Sequence, residues 1–428
     1  MKVYLDSVGC RLNQSEIEAY ARQFRMAGHT LVDSADKADL AVVNTCTVTA
    51  AASSDSRQKV RQIQRAGVAQ IVVTGCWSTL DPVSAAKLPG VTQVIPNAEK
   101  DQLASKILNL PVETFDLEPI ARQPLPGARL RTRAFIKAQD GCNNRCTYCI
   151  TSIARGPAHS RGLKSILKDI IAAQQGGTQE IVLTGVHLAW WGRDMTKPKG
   201  IKDLVQHILA ETDMPRIRFS SLEPWDLDDT FFELWANPRV CRHLHLPLQS
   251  GSADTLRRMA RNCSPQSYAS LVNAARKACP EIAITTDLIA GFPGEDEHEF
   301  DDSLAFVRQM DFAGGHVFSY SARPGTMAAS LPNQIPLTVR KERSAALREL
   351  LGETSQRYKH QFVGQTLPVL WEGVTPNEMN SWQLSGLTDN YLRVNAISPQ
   401  SLWNQISLVK VEGCTSEKLL GQIVVPPD

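Results

Sequence analysis

Nowhere in the 428 residues does an apolar run approach the roughly 20 residues of a membrane span. The first ten residues, MKVYLDSVGC, have neither the basic start nor the apolar stretch of a secretion signal. No membrane association is expected, and a cytoplasmic location is. An excess of one charge is also lacking. The net charge is +2, so composition makes no case for or against a nucleic-acid partner. There is no low-complexity tract, and no repeat beyond an alternation of strand-like and helix-like stretches. The 43% apolar and 21% charged content is that of a soluble globular chain. Its length exceeds one ordinary core and points to two or three domains.

Cysteine is what the chain does have, with ten in all. A disulfide framework is not expected in so long a chain in a reducing cytosol. Grouped cysteines then read as metal or redox sites, and scattered ones as small buried hydrophobes. Cys241, Cys263, Cys279 and Cys414 fall in the second class.

Three changes of pattern divide the chain. Over residues 1–108 short apolar runs (2–5, 39–43, 70–74 and 91–95) alternate with helical stretches (15–27 and 52–64), which predicts an open parallel α/β domain. Residues 109–128 hold four prolines and read as a linker. Residues 129–362 resume the alternation. Strands are expected near 134–138, 180–183, 216–220, 242–246, 282–289 and 316–319, and a charged helix over 338–361. Six βα units predict a partial barrel. Residues 363–428 carry short strands between turns, which predicts a small antiparallel β-barrel.

The most informative segment is DGCNNRCTYC, which follows the first barrel strand and holds Cys142, Cys146 and Cys149. Three thiolates at this spacing can wrap one iron–sulfur cubane and leave one iron open for a small ligand. An open position is what separates catalytic from structural metal sites. The alternative is a zinc site or a fully ligated cluster, for which no second close cysteine pair is present. Cys10, Cys46 and Cys76 are far apart in sequence, yet each lies just past a candidate parallel strand. In an open α/β sheet those ends share one edge, where ligands collect. They could therefore converge on a second cluster, or be three separate buried thiols.

GCRLNQSE (9–16), NTCTVT (44–49), GCW (75–77), DGCNNRCTYC (140–149), LTGVHL (183–188), SSLEP (220–224), HLHLPLQSGS (243–252), TTDLIAGFPGE (285–295) and HVFSYSARPGT (316–326) together resemble the radical S-adenosylmethionine (SAM) methylthiotransferases. The resemblance runs over essentially the whole chain. It implies an N-terminal domain with an auxiliary 4Fe-4S cluster on Cys10, Cys46 and Cys76. A radical SAM partial barrel follows, with a second 4Fe-4S cluster on Cys142, Cys146 and Cys149, and then a C-terminal TRAM barrel that contacts RNA. Two SAM molecules are used per turnover. One methylates a sulfur of the auxiliary cluster, and the other yields a 5′-deoxyadenosyl radical that takes hydrogen from an unactivated C–H. A protein without such a cofactor has no group able to attack so inert a bond. One segment departs from the pattern: CITSIARG (149–156) lacks the proline usual in CIIPYARG.

By the same resemblance Tyr148 lies near the adenine of SAM, and Thr184 and Gly185 hold its methionine part. Ser220, Gln249 and Asp287, polar residues near barrel-strand ends, could meet the ribose or sulfonium, or could be strand-end caps. Basic residues around the triplet (Arg129, Arg131, Arg133, Lys137, Arg145, Arg155, Arg161, Lys164, Lys168) could border the barrel mouth and meet phosphates. Trp371, Trp382, Tyr391, Arg393 and Trp403 could give the last module an RNA-facing surface, or simply its core.

GCRLNQSE and NTCTVT look most like the group acting on N6-threonylcarbamoyladenosine (t6A) at C2, position 37, in the tRNA anticodon stem-loop. The isopentenyladenosine group more often reads TYGCQMN, and the group acting on a ribosomal-protein aspartate LGCPKN. The threonyl arm carries a carboxylate, so Arg155 or Arg323 is expected to meet it. The resemblance further implies a flavodoxin- or ferredoxin-like electron donor and a sulfur donor. An RNA-binding iron–sulfur or zinc sensor is the non-enzymatic alternative.

Overall fold

The computed structural model describes residues 1–111, 132–377 and 381–424. The expected linker therefore lies, from residue 112 on, outside the described residues, as do Arg129 and Arg131. No helix among the described residues is long and apolar enough to cross a membrane.

β1 (Lys2–Ser7), β2 (Thr30–Leu31), β3 (Leu40–Thr45), β4 (Gln70–Gly75) and β5 (Val91–Ile95) form one sheet in the order β2-β1-β3-β4-β5, with every pair parallel. β3 is buried at every position, as a central parallel strand should be. Its residues alternate between two cores, because successive side chains leave a strand on opposite faces. Leu40 and Val42 pack under α1 (Arg11–Met26) with Ile17, Tyr20 and Phe24. Ala41 and Val43 pack under α2 (Ala50–Arg65) with Val60 and Ile63. α1 begins four residues before the expected start at Ser15, because Cys10 itself is its N-cap. Three short helices follow: α3 (Cys76–Leu80), α4 (Pro82–Ala86) and α5 (Leu103–Leu108).

The central module opens with β6 (Arg133–Lys137), after which β7 (Gln139–Asp140) pairs antiparallel with β8 (His159–Ser160). A five-residue helix, α6 (Thr151–Arg155), lies between β7 and β8. β9 (Glu180–Thr184) and β10 (Arg216–Phe219) extend β6 into a parallel sheet. β11 (His243–His245), β12 (Ala283–Ala290) and β13 (Gly314–Ser319) form a second. The isolated parallel bridges Ile217↔Val240 and Ser221↔His245 join the two into one arc of six strands. All six expected strands are present. One continuous apolar core underlies them, from Ala134 to Leu351.

β14 (Thr366–Asn377), β15 (Ser381–Thr388), β16 (Arg393–Ser398), β17 (Ile406–Cys414) and β18 (Leu419–Ile423) close a barrel in the order β14-β15-β16-β18-β17. Its pairs are antiparallel except β16 with β18, which run parallel at Val394 and Asn395. The expected small antiparallel barrel is thus present, with β16–β18 as its one parallel pair among the described residues. Trp371 is fully buried in its core with Val369, Leu384 and Val394, so it offers nothing to RNA. Tyr391 is not in a strand. It sits in the turn before β16 with φ +67°.

Candidate active site

Cys10, Cys46 and Cys76 do converge. Each follows the C-terminal end of a parallel strand, β1, β3 or β4, and all three line one cavity. Gly9 makes the approach possible. At φ +107° it takes a conformation that L side chains avoid, and a Cβ there would lie 2.5 Å from the Cβ of Cys46 and 2.6 Å from its Sγ. Asn13 then ties the strand ends together, donating to the carbonyls of Val8 (2.8 Å) and Thr45 (3.1 Å). Asn97 donates to Cys76 Sγ (3.6 Å) and to the Ala154 carbonyl (2.7 Å), linking this edge to α6. Burial pushes the Cys46 thiol up to about 11. A metal bound here must therefore displace the thiol protons.

The second cysteine group is held by loops that follow β9, β11 and β13. Thr147 donates from its backbone to Met259 and from its hydroxyl to Arg258, while Ala328 donates to the Thr147 carbonyl. The Asn144 N–H points at Cys142 Sγ (3.4 Å), and His187 Nδ1 stands 3.9 Å from the same sulfur. His187 is oriented from behind by Asp226 on its Nε2 and by Gln139, which accepts its N–H at 2.8 Å. Arg261 lies beside Cys146, pairs with Glu223 at 2.9 Å and stacks over Trp225. Burial raises Cys142 to about 12 and Cys146 to about 11, with Arg261 opposing the rise at Cys146. Among the described residues no three His, Cys, Asp or Glu side chains sit at the spacing of a single metal ion. The thiolates of a cubane each take a different iron and need not meet that spacing.

Between the modules lies a cavity of about 870 Å³. Cys10, Cys46 and Cys76 form one wall, and the inner faces of β9 to β13 form the other. The C-terminal barrel supplies the floor through Leu387, Asn390 and Tyr391. Of the expected SAM contacts, Thr184, Gly185, Ser220 and Asp287 line this cavity. Tyr148 packs edge-on against Phe292, at 6.5 Å between ring centroids, and is not among the lining residues. Nor is Gln249, which adopts φ +74° and binds β12 through its backbone, at the Asp287 carbonyl and the Ile289 N–H. Ser220 Oγ, Asp287 Oδ1 and His243 Nδ1 are buried without a hydrogen-bond partner. Such groups are costly to leave unpaired, so the cavity is built for a polar ligand.

The two expected substrate cations are both engaged elsewhere. Arg155 lines the cavity, but its Nη1 binds Glu16 (2.9 Å) and Asp140 (3.0 Å) and its Nη2 binds Asn13 (2.7 Å). Lys100 completes this buried network at 2.7 Å from Glu16 and 2.6 Å from Asp140. Burial alone would raise Glu16, yet Arg155 and Lys100 hold it down at about 2. Arg155 is thus a clamp between modules, not a free anion site. Arg323 donates to Thr47 (2.7 Å) and Ser53 (3.0 Å), bracing the loop that carries Cys46. The missing proline after Cys149 does no local harm, since Thr151–Arg155 is helical and Gly156 ends it at φ +74°. The expected basic rim is also thinner than its residue count, because Arg133, Lys137 and Arg161 are paired to Glu372, Asp101 and Asp169.

Residues 2–96 match the model of the family described as Uncharacterized protein family UPF0004, and residues 136–307 match the Radical SAM superfamily. The threonylcarbamoyladenosine tRNA methylthiotransferase MtaB of Bacillus subtilis (strain 168) is 33% identical over 420 residues, 96% of this chain and 93% of that protein. The chain belongs to the radical SAM methylthiotransferase family. The tRNA-2-methylthio-N(6)-dimethylallyladenosine synthase of Anoxybacillus flavithermus (strain DSM 21510 / WK1) is 31% identical, across 99% of this chain and 83% of its own. Among solved structures, the radical SAM methyltransferase TsrM of Kitasatospora setae overlays with a TM-score of 0.57 at 17% identity, covering 77% of each chain. That likeness bears on the fold alone.

For a methylthiotransferase the residues overlooked in the sequence are His187, Arg261 and Asp226, which surround the triplet, and His243 and His245, which line the cavity. His187 stands within LTGVHL, two residues past the expected Gly185. HLHL places His243 and His245 on the same face of β11 by the two-residue strand period.

Proposed function

We propose that this methylthiotransferase installs a methylthio group at C2 of N6-threonylcarbamoyladenosine 37 in tRNA, using two 4Fe-4S clusters and two SAM per turnover. The observation that carries the reading is the cavity between the modules: the cysteines past β1, β3 and β4 face the barrel interior across it, while Cys142, Cys146 and Cys149 are not among its lining residues. When bound, the clusters and SAM supply a carbon-centred radical and a transferable methylthio group. Cys142, Cys146 and Cys149 would hold the first cluster, and Cys10, Cys46 and Cys76 the second. Thr184, Gly185, Ser220 and Asp287 would orient SAM. The buried Glu16–Arg155–Asp140–Lys100 network fixes the spacing between the two cysteine groups. An external one-electron reductant and a sulfur donor complete the reaction.

A t6A substrate fits the polar lining better than a prenylated one. A prenyl arm would leave His243 Nδ1 unpaired, which a site tolerates poorly. The test is anaerobic turnover of anticodon stem-loops carrying either modification, read by nucleoside mass spectrometry. A methylthio shift on the t6A RNA is expected. A shift on the isopentenyladenosine RNA alone would assign the second substrate, and neither shift without 5′-deoxyadenosine would favour the sensor.

Gly9→Ala checks the second cluster without touching a ligand. The added Cβ collides with Cys46. Iron is expected to fall from about eight to about four per chain. Unchanged iron content and activity would dissociate Cys10, Cys46 and Cys76 from cluster binding.

A further inference from the structure

Four cations line the cavity: Arg11, Arg155, Lys359 and Arg393. Three have obligations elsewhere. Arg155 is neutralised by Glu16 and Asp140. Arg393 pairs with Glu372 at 2.8 Å. Lys359 donates to the Ser416 carbonyl and feels the nearby carboxylate of Glu417. Arg11 differs. Its Nη2 donates to the hydroxyl of Tyr391 at 2.7 Å, a neutral partner. Among the described residues Tyr391 is the one hydrogen-bond partner of its guanidinium, which carries five N–H donors.

The brace on Arg11 is itself built with care. Tyr391 holds φ +67°, a conformation uncommon for an aromatic residue. Its ring stacks on His243 at 4.3 Å and 11°, and Arg218 lies 5.1 Å from the ring centre. The fields of Arg11, Arg133 and Arg218 outweigh burial and draw the Tyr391 hydroxyl below its ordinary value. Arg133 and Arg218 are paired with Glu372 and Glu180, which leaves Arg11 as the cation the floor presents. Arg11 directly follows Cys10, so an anion bound there lies beside the wall that carries Cys10, Cys46 and Cys76.

We propose that Arg11, braced by Tyr391, binds the carboxylate of the threonyl arm and sets the preference for an anionic over an uncharged adenosine modification. This rests on the t6A reading. A guanidinium presents a fork that matches a carboxylate with two parallel bonds. Tyr391 is a positioning residue, since it acts through Arg11.

The test uses two anticodon stem-loops, one with t6A and one with its threonyl methyl ester, which differ by a single charge. The wild-type holoenzyme is expected to favour the acid in kcat/KM by about 10- to 100-fold, the range of a charged hydrogen-bonded contact. Arg11→Met should bring that ratio near unity, with the loss falling on KM for the acid. Arg11→Lys should restore part of it, and Tyr391→Phe should lower it several-fold. A wild-type ratio retained in Arg11→Met overturns the proposal and leaves the t6A reading standing. If Arg11→Met carries less iron, the ratio in Tyr391→Phe decides, and an unchanged ratio there overturns it. Wild-type turnover of the isopentenyladenosine RNA alone overturns the t6A reading itself.

Discussion

Replacing Cys142 with alanine is expected to reduce 5′-deoxyadenosine formation to background, a loss of at least roughly a thousandfold. Cys46→Ala should spare that reaction and abolish the methylthio product. The contrast follows from where the six cysteines sit. Cys142 belongs to a loop pinned by residues after β9, β11 and β13, with His187 and the Asn144 N–H aimed at its sulfur. Removing one of three thiolates there leaves a cubane without a stable cradle. Cys46 belongs to a different module, after β3, and faces the cavity from the opposite wall. Its loss empties that wall without disturbing the triplet. Chromatography of 5′-deoxyadenosine beside mass spectrometry of the nucleoside separates the two. Loss of both signals in Cys46→Ala, with the triplet's iron intact, would mean that the groups do not work independently.

Much of this arrangement of the cysteines was legible in the sequence, because periodicity and topology carry it. β3 reads as a buried parallel strand from LAVVNT alone, and Cys46 follows by position. The DGCNNRCTYC loop needs no folding to be recognised. What the sequence hid was the partnership of charges. Arg155 is conspicuous beside the triplet, but Glu16 reaches it from 139 residues away and, with Asp140, consumes its charge. In sequence Tyr391 reads as part of an RNA-facing surface of the last module or of its core. A left-handed turn instead sends it to the barrel floor against His243. Local pattern has no access to such long-range pairs, and a positive φ at a tyrosine contradicts local preference.

That floor depends on one ion pair, and Arg218→Met should cost about 3–5 kcal/mol. Arg218 is fully buried and grips Glu180 by two bonds, 2.7 Å from Nε and 3.0 Å from Nη2. The same guanidinium donates to the carbonyls of Asp389 and Thr388, at the turn that presents Tyr391. Burial pushes Glu180 up, but Arg218, helped by Arg133 and Arg216, holds it below the usual carboxylate value. A depressed carboxylate stabilises the fold fully above its unfolded value, near 4.3, and loses that contribution as pH falls through its folded value. Methionine at 218 removes the grip, so Glu180 must bear its buried charge at pH 7 or take up a proton. The melting temperature of the variant should therefore lie on the order of 10 °C below wild type at pH 7. The gap should narrow towards pH 4, where a protonated Glu180 no longer needs the arginine. An equal gap at both values would assign Arg218 to packing alone. Because the turn at 388–391 also loses two donors, the surviving enzyme should lose methylthiolation more than it loses cleavage of SAM.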